Sequence, residues 1–343
     1  MSQTIRFSIE HGDIASFDGD VVVLKYAQEF YGADKATVST IYKNHTIPDI
    51  LRPQIGEHCY IPTFGRIKAR YALFIGVPPL YEFGYQEVKE FSTLGFKILA
   101  DEAPETKHFA MTIHGVGYGL DETEVFFAQV AGCLDAIKTR KFPPALNHIS
   151  IIEINSERVK RLRRAFEQNF THLTFVSHAS TPGTFNLTIP QKDLVKTISR
   201  EKHTIESFGK ESEDKPYIFT VMPFRKDMDD VFYYGIQKPA HDAGFLCERI
   251  DQDSFTGDIL NRIKKRIENA TVVIAELSNA NPNVYLEVGY AWGKEQPTIL
   301  LIRDAKELLF DVQGQKCIEY ERIKDLENKL TKELNELKFN EYK

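Results

Sequence analysis

Residues 271–293, TVVIAELSNANPNVYLEVGYAWG, decide how the second half of this 343-residue chain is read. The stretch opens on a β-branched run, TVVIA, the composition of a buried strand, and that strand ends at Glu276. A polar loop, SNAN, follows. Asn281 suits an N-cap and Pro282 the first helical position, where the N–H that proline lacks would find no partner anyway. The helix predicted from Pro282 to about Gly293 is apolar nearly all round and is expected to be buried. Val284, Val288 and Ala291 share one face at helical spacing, and Glu287 lies on that same face. Glu287 is the only charged side chain between Leu277 and Gly293. A carboxylate among apolar neighbours costs on the order of several kcal/mol unless it is paired, hydrogen-bonded or facing a cavity. Glu287 is therefore either a structural acid held by a backbone group or a buried arginine, or an acid kept for chemistry.

Around this stretch, strands alternate with helices. PYIFTVM (216–222) reads as a first strand with Pro223, Phe224 and Arg225 in its exit loop. A helix over 227–243 is interrupted near Pro239. FLCERI (245–250) is a second strand, and a helix over 258–270 follows. The opening stretch supplies the third strand and helix; PTILLI (297–302) and KCIEY (316–320) supply strands four and five. Such alternation implies parallel strands with right-handed crossovers, here a flavodoxin-like five-stranded sheet of order 2-1-3-4-5. Ligands bind such sheets beyond the carboxyl ends of strands one and three. That rule brings Phe224, Arg225, Glu276, Asn281, Asn283 and Glu287 toward one crevice, as candidate substrate-binding residues around a candidate catalytic acid. Arg225 could equally pair with a surface acid. Asp251 and Asp253 sit nearer the sheet edge, and Ser254 and Asp258 suit helix capping. The last predicted helix, 321–339, carries a stripe of Ile323, Leu326, Leu330, Leu334 and Leu337 that packs on its own domain or, alternatively, on a partner helix.

The first half has its own signal. HFAMTI (108–113) is a strand, HGVGYGL (114–120) a glycine-rich loop, and 121–140 a helix with acids in its first turn. Strand, loop and helix N-terminus make a cradle for an anion, with the backbone of Gly115, Val116, Gly117, Tyr118 and Gly119 as its donors. The spacing is not the G-x-G-x-x-G of a dinucleotide fold. Asp121 and Glu122 would repel a phosphate and are expected to face solvent. Further strands are expected at 4–9, 20–25, 58–62, 71–77, 148–155 and 173–176, with helices at 35–43, 85–100 and 157–168. The five basic residues of the last helix, Arg158, Lys160, Arg161, Arg163 and Arg164, read as a solvated face rather than a binding patch. Across residues 178–216, HASTPGTFNLTIP reads as turn-rich and partly extended, QKDLVKTISREKHTIESF as a short helix, and GKESEDKP as a charged linker. The expected division is 1–178, a linker over 179–215, and 216–343.

Composition bounds the function. Hydrophobic residues make up 42% and charged residues 27%, ordinary for a globular protein. A net charge of −6 argues against a general nucleic-acid binder. Cys59, Cys133, Cys247 and Cys317 form no C-x-x-C pair and read as reduced thiols, not disulfides or a zinc site. No signal peptide opens the chain and no 18-residue apolar run is present, so a cytoplasmic protein without a membrane span is expected.

Two resemblances join these readings. HGDIASFDGDVVVL, GEHCYIPTFGRIKARYALFIGV and TIHGVGYGLDETEVFFAQVAGCLDAI, in that order over about residues 4–177, resemble a macro domain or the macro-like N-terminal domain of leucine aminopeptidases. The resemblance implies a mixed sheet with helices that binds ADP-ribose or another adenine nucleotide, with Asp13 at the adenine and residues 115–119 at the diphosphate. LKYAQ stands where many macro domains carry an asparagine-rich segment, which points to a sensor or scaffold rather than an ADP-ribosyl hydrolase. FTVMPF, HDAGFLCERID, ENATVVIAELSNANPNVYLEVGYAWG and QPTILLI, over about 216–303, resemble nucleoside 2-deoxyribosyltransferases and bacterial TIR-like domains. There the acid of the E-x-G-Y-A segment is catalytic, and it maps onto Glu287. Asn281-Pro282-Asn283-Val284 departs from the transferase pattern and favours the TIR-like NAD glycohydrolases. The resemblances imply a sensor–effector of bacterial antiviral defence that binds a nucleotide signal, forms ligand-driven homo-oligomers and cleaves NAD, its substrate, with no cofactor and no metal. A nucleoside or nucleotide N-glycosidase and a non-catalytic nucleotide-binding module are the alternatives.

Overall fold

VVVLKY (Val21–Tyr26, β2) is buried at every residue, as a strand covered on both faces must be, and it sits among parallel neighbours in the first of two sheets. The computed structural model describes residues 3–43, 46–189, 212, 215–250 and 259–341. Asp251, Asp253, Ser254, Asp258 and most of the expected linker, including its short helix, lie outside the described residues. The chain divides into two compact units. One comprises Met1–Val116 and Glu122–Glu213, the other Gly117–Asp121 and Asp214–Lys343.

The first unit is a mixed eight-stranded sheet with helices. Its strands are β1 (Gln3–His11), β2, β3 (His58–Pro62), β4 (Tyr71–Gly76), β5 (His108–Thr112), β6 (His148–Glu153), β7 (Val176–His178) and β8 (Thr184–Ile189), in the order β3-β4-β2-β5-β6-β1-β8-β7. The five central strands are parallel and the edges antiparallel. On one face, Val22 and Leu24 of β2 join Ile14, Phe17, Phe74, and Val38 and Ile41 of helix α1 (Gly32–Ile41). The other face carries α2 (Tyr85–Glu102), α3 (Glu122–Lys138) and α4 (Ser156–Phe170). Phe96 meets Phe109 edge-on at 4.9 Å, and Phe7 stacks on Phe166 at 5.1 Å. Helices α2 and α3 approach closely because residue 132 is glycine: a Cβ there would stand 2.3 Å from the Lys89 carbonyl oxygen.

Two expectations change here. TFNLTI, in the stretch read as linker, is β8; it alternates buried and half-buried and pairs antiparallel with β1, so this sheet runs past residue 178. The basic helix is not simply solvated. Arg158 and Arg161 hold Glu122, and Arg163 donates to the Ile9 carbonyl at 2.7 Å.

The second unit is a five-stranded, all-parallel sheet, α/β in class. Its strands are β9 (Tyr217–Val221), β10 (Leu246–Glu248), β11 (Val272–Glu276), β12 (Thr298–Ile302) and β13 (Cys317–Glu319), in the order β10-β9-β11-β12-β13. That is the expected 2-1-3-4-5. One face packs on a helical run and on α8 (Ile323–Glu341), through Leu326, Leu330 and Leu334. The run is a π-helix over Val231–Gln237 continued by α5 (Lys238–Asp242). Pro239 has no N–H for the Gly235 carbonyl, and the widened turn absorbs that loss. The other face packs on α6 (Ile259–Asn269) and α7 (Pro282–Gly293). Among the described residues no helix is long and apolar enough to cross a membrane.

Candidate functional site

Helix α7 begins as its sequence dictates. The Asn281 side chain accepts from the Asn283 N–H at 3.0 Å, and Pro282 fills the first position. Val284, Val288 and Ala291 are buried against the sheet, but the helix is not buried all round: Leu286 is 64% exposed, and a Cβ on Gly289 or Gly293 would meet nothing within 4 Å. Apolar composition gave no warning of this, because the outer face has as few charges as the inner one. Glu287 stands at the boundary, half-buried. It has no hydrogen-bond or ion-pair partner among the described residues, and burial alone pushes its carboxyl pKa up to about 7. No guanidinium among the described residues neutralises it. At neutral pH both its acid and its carboxylate forms are populated.

The other residues expected in this crevice are not all beside it. Glu276 is fully buried on the opposite side of the sheet. Along β11, Val272 and Ile274 face α8, whereas Val273 and Ala275 face α7; Glu276 follows the first set, and Tyr320 on that side donates to it at 2.9 Å. Burial raises the Glu276 pKa, partly offset by the Ser278 and Tyr320 hydroxyls. The expected meeting of Glu276 with Glu287 is therefore corrected by the two-residue alternation of a strand. Asn281 is spent on its cap. Arg225 donates to both oxygens of Asp227, at 3.0 and 2.9 Å, with its side chain 54% exposed. Phe224 is half-buried and Asn283 exposed.

In the first unit, Asp13 is exposed and caps a short 3₁₀ turn, accepting from the Ala15 N–H at 2.9 Å. The glycine loop has the backbone its composition demands. Gly115, Gly117 and Gly119 take φ of 93°, 81° and 102°, a region closed to most side chains. Gly115 and Val116 belong to the first unit, whereas Gly117, Tyr118 and Gly119 belong to the second. Within that second unit Tyr118 bridges Ile250, and a Cβ on Gly119 would come 3.2 Å from Ile250. Asp121 and Glu122 do not face solvent. Asp121, 1% exposed, accepts from His241 Nε2 at 2.6 Å and from the Cys247 N–H at 3.0 Å. Burial would raise the Glu122 carboxyl, but Arg161 and Arg158 outweigh it and hold the pKa below the ordinary value.

Two polar groups in the first unit escaped the sequence reading. At the carboxyl ends of β2 and β5, Lys25 pairs with Asp34, both buried, and His114 at the mouth of the glycine loop is 2% exposed, its Nε2 without a hydrogen-bond partner among the described residues. Burial, reinforced by Lys25, holds His114 neutral. At the opposite end of β5, Ser8 and Glu10 of β1, His108 of β5, and His148 and Ser150 of β6 share hydrogen bonds. The signal was present as two i, i+2 polar pairs, Ser8/Glu10 and His148/Ser150, inside otherwise apolar strands. Only the register Ser8↔Ser150 and His108↔His148 unites them.

No protein-family model matches the chain, and no curated protein matches it. Among solved structures, a point mutant of the Oceanobacillus iheyensis macrodomain aligns with 49% of this chain and 97% of its own length, at 11% identity and a TM-score of 0.38. The Trypanosoma brucei macrodomain in complex with ADP-ribose aligns with 47% of this chain and 68% of its own, at 13% identity and a TM-score of 0.37. The Oceanobacillus iheyensis macrodomain with ADP aligns with 49% and 97%, at 10% identity and a TM-score of 0.34.

Proposed function

We propose that the first unit binds an adenine nucleotide and that the second cleaves the N-glycosidic bond of NAD, with Glu287 as the catalytic carboxylate. The observation that carries this reading is Glu287 itself: a half-buried acid, raised to about 7, with no internal partner among the described residues. Such a group is costly to the fold and useful to a reaction that builds positive charge. As the bond from the ribose to nicotinamide lengthens, C1′ takes on oxocarbenium character. The Glu287 carboxylate stabilises it or attacks it, and water completes the reaction to give ADP-ribose, neutral nicotinamide and a proton. Nicotinamide leaves a cationic ring as a neutral molecule, so no acid has to protonate it. Phe224 is assigned to stack on the base, Asn283 to the sugar, and Arg225, exposed beside Asp227, to a phosphate. Glu276 and Asn281 are given supporting roles in the fold.

In the first unit we assign the nucleotide to the carboxyl ends of β2 and β5, where Gly115 and Val116 offer backbone N–H groups and His114 Nε2 awaits a hydrogen bond. Asp13, exposed at its turn, is assigned to the adenine. The TIR-like resemblance adds activation by assembly into homo-oligomers and a role in antiviral defence by depletion of NAD. The second unit has the apolar surface that assembly calls for, with Leu286, Leu309 and Phe310 64%, 44% and 87% exposed.

The test is nicotinamide release from NAD by the full chain, alone and with a panel of adenine nucleotides including ADP-ribose. Release by the wild type and its loss in Glu287→Gln, with unchanged circular dichroism, supports the assignment. Wild-type turnover in Glu287→Gln refutes the catalytic role.

A second reading draws on the same pKa. A carboxyl that keeps its proton near pH 7 can donate it to a departing base, which a neutral nucleoside requires and NAD does not. Base exchange or hydrolysis of nucleosides, followed by chromatography, with no nicotinamide release, would decide for a nucleoside N-glycosidase or deoxyribosyltransferase.

A further inference from the structure

The serine, histidine and glutamate cluster at the amino ends of β5 and β6 has no part in either reaction. Its five side chains come from three adjacent strands, β5, β6 and β1, in the interior of the first unit's sheet. Apolar side chains would ordinarily fill such positions. Ser8 and Ser150 are 2% and 0% exposed, so the floor is buried, while His108, His148 and Glu10 are half-exposed and reachable. Glu10 Oε1 accepts from both serine hydroxyls, at 2.5 Å from Ser8 and 2.7 Å from Ser150. With both hydroxyl protons directed there, the serine oxygens are left to accept, and each takes an imidazole Nε2 at 2.8 Å, His148 on Ser8 and His108 on Ser150. Each histidine therefore aims its Nε2, not its Nδ1, into the cluster. One ligand atom from each of Glu10, His108 and His148 lies within 4.8 Å of the other two.

We infer that Glu10, His108 and His148 form a binding site for a divalent transition-metal ion of the zinc type. Two imidazoles and one carboxylate are ligands such ions favour over magnesium or calcium, and three protein ligands leave a coordination position for water or substrate. Bonds of about 2.0–2.2 Å to nitrogen and oxygen, at tetrahedral angles, place any two ligands of one ion about 3.4 Å apart, so the cluster has to close by up to about 1.4 Å. His148 Nε2 and Glu10 Oε1 are already 4.0 Å apart. The main rearrangement is in the rings. They stack at 3.9 Å with their planes 7° apart, which sends the two nitrogen lone pairs nearly parallel. Each imidazole must rotate to point at a common ion, exchanging its Nε2–H···Oγ bond for a metal bond and taking the Nδ1–H tautomer. Neutral imidazole binds in either tautomer, so no proton has to leave. Ser8 and Ser150 keep their hydroxyls on Glu10 and fix its orientation, the usual service of groups behind a metal ligand.

Space for a further molecule adjoins the site. A pocket of about 220 Å³ is lined by Asp20, Tyr60, Arg70 and Lys107 among others. Asp20 accepts from the backbone N–H of His108 at 3.0 Å, so the pocket wall and the site share a residue's backbone.

The experiment uses untagged full-length protein stripped with a chelator and titrated separately with Zn²⁺ and Co²⁺, by calorimetry and by visible absorption of the cobalt form. One equivalent should bind, with d–d absorption of a low-symmetry site and a rise in melting temperature. Glu10→Gln, which keeps the shape and accepts the same hydroxyls, and His148→Gln should each weaken binding about tenfold or more with circular dichroism unchanged. Should one variant fail to fold, the other carries the comparison. The inference falls if the wild type shows no saturable binding, or if one equivalent binds both folded variants as tightly as the wild type.

Discussion

At the scale of single residues, the molecule turns on which charges are paired. Glu287 is unpaired among the described residues and raised to about 7, so the sign of its effect on stability is fixed. In the unfolded chain it ionises near its ordinary value of 4.5. Stability is whole below that value and is lost as pH rises through about 7, because the unfolded state holds the charge more cheaply. Glu287→Gln should therefore melt higher than the wild type at pH 8 and equal to it at pH 4, even as nicotinamide release disappears. Equal melting at both pH values would mean that the acid is better solvated than its position shows. For NAD cleavage, kcat/KM should rise with pH through about 7, since the carboxylate is the working form. The buried Lys25–Asp34 pair is the opposite case. Lys25→Met leaves an uncompensated buried carboxylate and should cost about 3–5 kcal/mol, much of it regained in Lys25→Met/Asp34→Leu. Urea unfolding of the single and double variants measures both.

At the scale of elements, closeness rather than composition sets what a helix tolerates. Gly132 lets α3 lie against α2, and alanine there would press on the Lys89 carbonyl, at a cost of about 1–3 kcal/mol. Gly289 of α7 faces open space, so Gly289→Ala should instead stabilise by about 0.5–1 kcal/mol through helix propensity. Thermal unfolding of the two variants should move in opposite directions; equal shifts would mean that α7 does not present the exposed face described. The start, cap and proline of α7 were legible in SNANPNV because capping is local chemistry. Its half-exposure was not, because an apolar sequence says only that burial is affordable, not which face receives it.

At the scale of the whole molecule, a fold of two units with a nucleotide site proposed in one and an N-glycosidic site in the other predicts activation. NAD cleavage by the full chain should increase with one member of a panel of adenine nucleotides, and light scattering under the same conditions should report assembly. A rate independent of every nucleotide would confine the first unit to some other task. The order 2-1-3-4-5 was legible because strands and helices alternate, and right-handed crossovers leave few ways to lay such a chain down. Strand β8 was not, since six residues of alternating polarity inside a turn-rich stretch become a strand only when β1 offers its edge.

The sequence by itself determined most of the elements, the order of the second sheet and the solitary acid on α7, because periodicity, capping and β-branching act over a few residues. Tertiary structure alone decided the fates of the other charges: Asp121 and Glu122 turned inward, Glu276 on the far side of its sheet, and Glu10 gathered with His108 and His148. Each fate depends on partners as many as 140 residues away, as for Glu10 and Ser150. The free energy of a charge is set by what stands within a few ångströms of it after folding, whatever its neighbours along the chain.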